Sequence, residues 1–461
     1  MAYAASINRP VNSWLLPDYY RCQEGYSSMA LTGDLSDAAG YFQFGPDVIC
    51  YGQCSSGTPS RDAAGCFHDA LPHADVSGES VQLPFDPSQI LENLRHERYL
   101  ASSPQSPLAL AGKKVARSIY YAVRPLMPVT VRRHLQKRYL KGWENVAFPH
   151  WPVDRTVEQV LEQLLLLSMK SRKIKQVPFI WFWPEAACSC TIVTHDVETS
   201  TGRDFCDQLM DLDDSFGIKA AFQVVPEGRY AVPGDLLPAI RKRGFEFNVH
   251  DLNHDGHLTR NREQFLRRAE QINRHARQSG AQGFRSAVLY RNIDWYEALD
   301  FSYDMSVPNV AHLDPQRGGC CTVMPFFIGK MVELPVTLTQ DYSLFHILND
   351  YSINLWKEQI ALIREKHGLI SVIAHPDYII DQKARRVYVE LLKYLAELRS
   401  QGETWIALPG EVADWWRLRS ELNLVTREGR LQIEGKGSER ARIAYATIVD
   451  EKLVYTFDPV P

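Results

Sequence analysis

The sequence predicts an α/β chain built on a parallel sheet, and three observations carry this. Strand-like apolar runs alternate with helical runs from about residue 154 to about residue 418, the pattern of repeated βα units. The helical runs stop at glycines, at Gly217, Gly244, Gly280 and Gly368, where a left-handed residue ends a helix without steric penalty. Histidines, acids and an arginine stand directly behind strand-like runs, the position at which parallel α/β proteins place their chemistry.

In chain order, residues 1–105 are rich in Gly, Ser, Pro and Asp, with short apolar pieces at 40–44 and 47–51. They read as irregular or short-stranded structure of unassigned role. Residues 106–150 read as a basic amphipathic arm. Between Lys113 and Lys141 lie Lys113, Lys114, Arg117, Arg124, Arg132, Arg133, Lys137, Arg138 and Lys141 with no acidic residue, and Pro125 and Pro128 interrupt it. A solvated arm packed on the body is one reading; contact with an anionic membrane or glycan is the other.

From residue 151 to 420 the α/β pattern holds. Val157, Val160, Leu161, Leu164 and Leu165 share a helical face. Strands are expected at 179–183, 190–194, 219–225, 245–249 and 369–374. Helices are expected at 204–215, 236–243, 262–278, 355–367 and 388–400. Residues 421–461 return to β-like runs at 430–434, 441–449 and 452–457, a small β appendage.

The 461 residues are 45% hydrophobic and 23% charged, ordinary for a globular chain with a sizeable core, and the net charge is -4. A chain holding nucleic acid over a broad surface is usually basic, so no nucleic-acid partner is expected. The first residues lack a charged segment followed by an apolar one, and no window reaches the length of a membrane span. The expectation is a cytoplasmic protein, with peripheral membrane contact under the second reading of the basic arm. The nine cysteines then read as reduced thiols. Cys22, Cys50, Cys54 and Cys66 are spaced too loosely to argue for structural zinc.

The chemistry concentrates behind four strands. One run leads into Thr194-His195-Asp196-Val197-Glu198, and a second into His250-Asp251-Leu252-Asn253-His254. Gly283-Phe284 precedes Arg285, and the run 369–374 precedes His375. Two histidines and a carboxylate hold a zinc-like divalent ion and leave positions open for water and substrate. A second carboxylate serves as base and a further histidine as acid. Singly, each residue also has an ordinary reading: a structural histidine pair, a solvated acidic turn, a salt-bridged arginine. Their order on successive strands sets them apart.

That order resembles the polysaccharide deacetylase family, carbohydrate esterase family 4, over about residues 188–380. The family's T-F-D-D-G falls on Thr194 to Glu198. Its strand of the type G-I-K-A-T-F falls on Gly217-Ile218-Lys219-Ala220-Ala221-Phe222. Its G-H-E-I-x-x-H-S/T-x-x-H falls on Gly244 to His254, its F-R-x-P on Phe284-Arg285-Ser286-Ala287, and its strand-end histidine on His375.

The resemblance implies a distorted (β/α) barrel, with an irregular N-terminal region and the small β appendage added. It implies a divalent metal, zinc foremost, on His250 and His254. It further implies Asp196 as base, Arg285 orienting that base, and His375 as general acid. The family's metal-binding aspartate falls on Val197, which cannot ligate, and its proline on Ala287. Either Glu198 supplies the third ligand and Asp196 stays the base, or Asp196 ligates and the base is Asp251 or Asp255. The implied activity is hydrolysis of an acetyl group, N-acetyl before O-acetyl, from an acetylated carbohydrate or a polymer precursor. A related amidohydrolase acting on a small non-sugar amide, or an inactive glycan-binding protein of the same fold, are the alternatives.

Overall fold

The computed structural model describes residues 9–10, 14–26, 28–102 and 129–458. The expected basic arm therefore falls partly outside the described residues, at 106–128. The chain forms two compact units. One combines the described parts of Met1–Pro104 with Arg155–Ala186 and the described parts of Trp415–Pro461. The other combines the described part of Gln105–Asp154 with Ala187–Asp414.

The second unit carries a nine-stranded sheet. Its strands are β1 (Cys190–Val197), β2 (Ala221–Val224), β3 (Glu246–His250), β4 (Gly283–Arg285), β5 (Tyr303–Asp304), β6 (Phe326–Ile328), β7 (Met331–Glu333), β8 (Leu369–Ala374) and β9 (Trp405–Ile406). Their order is β6-β7-β5-β4-β3-β2-β1-β8, with β9 beside the first residues of β1. All neighbours are parallel except β6 and β7. The sheet curls. Residues 336–338, which follow β7, join the β5 side of the sheet to β8: Val336 pairs with Pro308 in parallel, and Leu338 N donates to Ser371 O of β8 at 3.3 Å.

Both faces of this sheet are covered, so β1 and β8 are buried along their whole length. Outside them pack the helices α1 (Ser200–Ser215), α2 (Leu236–Lys242), α3 (Arg262–Ser279), α4 (Asn354–Arg364) and α5 (Gln382–Ser400). Phe205, Leu209, Trp356, Ile360, Leu391 and Leu395 from these helices join Val193, Phe222 and Ile370 from the strands in one core. The helix ends follow local chemistry. Thr199, Asn261 and Asp381 cap α1, α3 and α5 through their side-chain oxygens. Gly280, at φ 66°, ends α3 in the left-handed conformation. The basic segment contributes a helix at Val129–Leu140.

In the first unit, the helix Thr156–Ser171 buries Val157, Val160, Leu161, Leu164 and Leu165, the face that the spacing marks. The strand Gln176–Ile180 pairs antiparallel with Ile443–Val449, which pairs in turn with Lys452–Thr456. The tail strands thus share a sheet with a strand more than 250 residues earlier. Asn423–Arg427 and Arg430–Glu434 form a separate hairpin. All nine cysteines are free. No helix among the described residues is long and apolar enough to cross a membrane.

Candidate metal centre and active site

Strand alternation explains the first motif. Successive residues of β1 point to opposite faces, so Asp196 and Glu198 share a face while Val197 turns into the apolar core. A D-x-E arrangement on extended backbone therefore offers two carboxylates to one side. His250 ends β3, and the turn after it is no helix: Asp251 and His254 both adopt left-handed conformations, at φ 55° and 53°. That turn brings His254 back beside His250, their ring centroids 4.9 Å apart.

Glu198, His250 and His254 each offer one ligand atom, and these atoms lie within 4.8 Å of one another, the one such group among the described residues. His254 Nε2 is 2.8 Å from Glu198 Oε1 but is not aligned for a hydrogen bond. His250 Nε2 lies 3.9 Å from both Asp196 Oδ2 and Glu198 Oε1, and it has no hydrogen-bond partner among the described residues. Both histidines are 1% exposed. Buried ring nitrogens without a hydrogen bond are costly unless something else uses their lone pairs. A divalent cation between Glu198, His250 and His254 fits that need. His250 Nδ1 faces Arg285 O at 3.1 Å, the outer contact that fixes the tautomer a metal-binding imidazole requires.

Asp196 is held differently. Its Oδ1 accepts from Arg285 Nη1 at 2.8 Å, and Arg285 also donates to Thr194 Oγ1 at 2.8 Å and to Met305 O at 3.0 Å. Arg285 is fully buried. Burial pushes the Asp196 carboxyl up, but Arg285, with His250 and His375, outweighs it and holds Asp196 below the usual carboxylate range. Burial likewise opposes ionisation of Glu198, and His254, His250 and His375 together bring it well below its ordinary value. A bound divalent cation would be the largest local charge and would keep the ligating imidazoles neutral.

His375, behind β8, closes the cluster from the other side, with Nε2 3.5 Å from Glu198 Oε1. Its Nδ1 is 2.6 Å from Asp341 Oδ1, and its backbone N–H donates to Asp341 Oδ2 at 2.7 Å. Burial depresses an imidazolium, but Asp341, then Glu198, raise His375 well above its ordinary value. Asp341 escaped the sequence reading although it is fully buried; an isolated acid closing the apolar stretch 334–339 was the available signal.

Two more acids stand behind Arg285. Asp304 and Glu333 are in-register neighbours on β5 and β7 and are fully buried. Ser306 N donates to Asp304 Oδ2 and Val307 N to Glu333 Oε1, both at 3.0 Å. Burial raises both carboxyls; the neighbouring Asp304 raises Glu333 further, and Arg285 offsets part of the effect at each.

The six residues singled out from sequence, Asp196, Glu198, His250, His254, Arg285 and His375, thus come together. Asp255 does not join them: Arg268 grips both its oxygens, at 2.7 and 2.6 Å. Asp251 braces the turn after β4 by accepting from Ala287 N at 3.3 Å.

No protein-family model and no curated protein matches the sequence. Solved structures similar to this chain include carbohydrate esterase family 4 deacetylases and cover about half of it. One, assigned as a polysaccharide deacetylase from Mycobacterium smegmatis, is 17% identical with a TM-score of 0.42, over 54% of this chain and 97% of that one. Puue allantoinase is 14% identical with a TM-score of 0.38, over 51% and 92%. Peptidoglycan deacetylase PdaC from Bacillus subtilis is 14% identical with a TM-score of 0.32, over 50% and 93%.

Proposed function

We propose that this chain is a metal-dependent hydrolase that removes an acetyl group, N-acetyl foremost, from a sugar or a sugar-containing polymer precursor, on a distorted (β/α) barrel. The observation that carries the reading is the convergence of two histidines and a carboxylate, an arginine-held aspartate and an aspartate-held histidine in one buried cluster. Glu198, His250 and His254 would hold the ion, and a mixed nitrogen and oxygen ligand set suits zinc. Such an ion supplies an acidified water and polarises the acyl carbonyl.

The chain's own groups divide the proton work. Asp196, kept ionised by Arg285, accepts the proton of the attacking water. Arg285 fixes the direction of that carboxylate and, being buried, gives up no freedom during turnover. His375 stands across Glu198 from His254 and protonates the leaving nitrogen. Asp341 orients its ring and favours the charged form, so an acid is ready when the C–N bond breaks. With Glu198 as third ligand, Asp251 and Asp255 are not needed as bases, in keeping with their other partners.

Val197, at the family's aspartate position, favours a second reading, a glycan-binding protein without turnover. Acetate release from N-acetylated sugars, with and without chelator, separates the two. Chelator-sensitive release supports the hydrolase. Stoichiometric metal with sugar binding and no release supports the second reading.

A further inference from the structure

We infer that the helix Val129–Leu140 is an interfacial helix that seats its unit on an anionic lipid bilayer. The helix exposes three of its apolar residues. Val131, Leu135 and Tyr139 are 44%, 39% and 57% exposed. They recur every fourth residue, so at ~100° per residue they fall within an arc of ~80° on one face. The opposite side does the packing. Leu140 is buried, and Gln136 Oε1 accepts from the Tyr342 hydroxyl. The Tyr139 hydroxyl donates to Pro315 O at 3.1 Å, which pins the end of the exposed stripe. An amphipathic surface helix normally turns its apolar stripe inward; this one is held with the stripe facing out.

Cations accompany the stripe. Arg138 borders it with His134 beyond, Lys137 and Lys141 are exposed farther round the helix, and Arg132 and Arg133 lie in the same stretch. From residue 129 to 141 the sequence contains Arg132, Arg133, Lys137, Arg138 and Lys141 and no acid, in a chain whose net charge is -4. Charge selects the occupant. A second copy of the helix would bring like charges together. A nucleic acid would meet the cations and leave the apolar stripe in water. An anionic bilayer takes both, with the stripe below the headgroups and Lys and Arg among the phosphates. The inference stands apart from the proposed hydrolase activity.

The test is co-sedimentation of the full chain with vesicles of phosphatidylcholine alone and of phosphatidylcholine mixed with phosphatidylglycerol, at low and moderate salt. Binding is expected on the mixed vesicles at low salt, declining as salt screens it. Leu135→Ser, and separately the triple variant K137Q/R138Q/K141Q, should each lower binding about tenfold or more. These side chains are exposed, and an unchanged circular dichroism spectrum confirms folding. Three results would overturn the inference: no sedimentation at low salt, binding that survives both variants, or a Leu135-dependent dimer that forms without lipid.

Discussion

Glu246 opens β3, four residues before His250 and so ~13 Å from it along the strand. Its Oε1 accepts from Asn248 Nδ2 at 2.6 Å and from the Tyr303 hydroxyl, and its Oε2 accepts from Gly410 N at 2.9 Å. Burial outweighs these donors and raises the carboxyl from an ordinary 4.5 to about 7. The unfolded chain ionises this group near 4.5, while the folded chain keeps its proton until about 7. Across that window the folded state binds more protons, so stability falls as pH rises and levels off above 7. At about 1.4 kcal/mol per pH unit the full effect is about 3 kcal/mol, and residual exposure of Glu246 reduces it to about 1–3 kcal/mol. Glu246→Gln removes the titration. Its amide also meets the Asn248 donor, but that offset does not vary with pH. Urea unfolding of both proteins from pH 5 to pH 8, read on the same transition, should show the variant gaining about 1–3 kcal/mol on the parent as pH rises. Parallel curves would refute the assignment of a retained proton to Glu246.

Asp341→Asn should keep the fold and lower kcat by about 10²-fold or more, since His375 loses one of its two carboxylate acceptors and the charge that raises it. The basic limb of the rate profile should move to lower pH; an unmoved limb would remove His375 as the acid. Asp196→Asn should retain metal and lose turnover, whereas Glu198→Ala should lose metal affinity, and the opposite pattern would make Asp196 the ligand. At the buried pair behind Arg285, Glu333→Gln should be tolerated because its amide oxygen still accepts from Val307 N. Glu333→Leu should cost about 1–3 kcal/mol by stranding the Val307 N–H in denaturant unfolding. Equal stability of the two variants would contradict a stabilising role for the Val307–Glu333 hydrogen bond.

What was legible in the sequence follows the length of each element. β1 and β8 are largely apolar runs and β3 an alternating one, each five to eight residues long and followed by polar groups, so Asp196, Glu198, His250, His254 and His375 could be placed behind strands from the sequence. β5 and β7 have two and three residues, too few for any periodicity to register, and Asp304 and Glu333 went unnoticed with them. Asp341 follows no regular strand at all. The helix Pro409–Glu421 was likewise missed, because its paired tryptophans blur the 3.6-residue pattern. A strand was expected at 179–183 and lies at Gln176–Ile180, and its partner Ile443–Val449 is a long-range choice that no local window contains. For the same reason the discontinuous units could not be drawn from composition along the chain.

The metal centre itself is tested most directly by elemental analysis of the purified chain beside the double variant H250A/H254A. The account predicts one divalent ion per chain in the parent and none in the variant, with both remaining folded. Stoichiometric metal retained by the double variant would place the ion elsewhere and contradict the assignment of Glu198, His250 and His254.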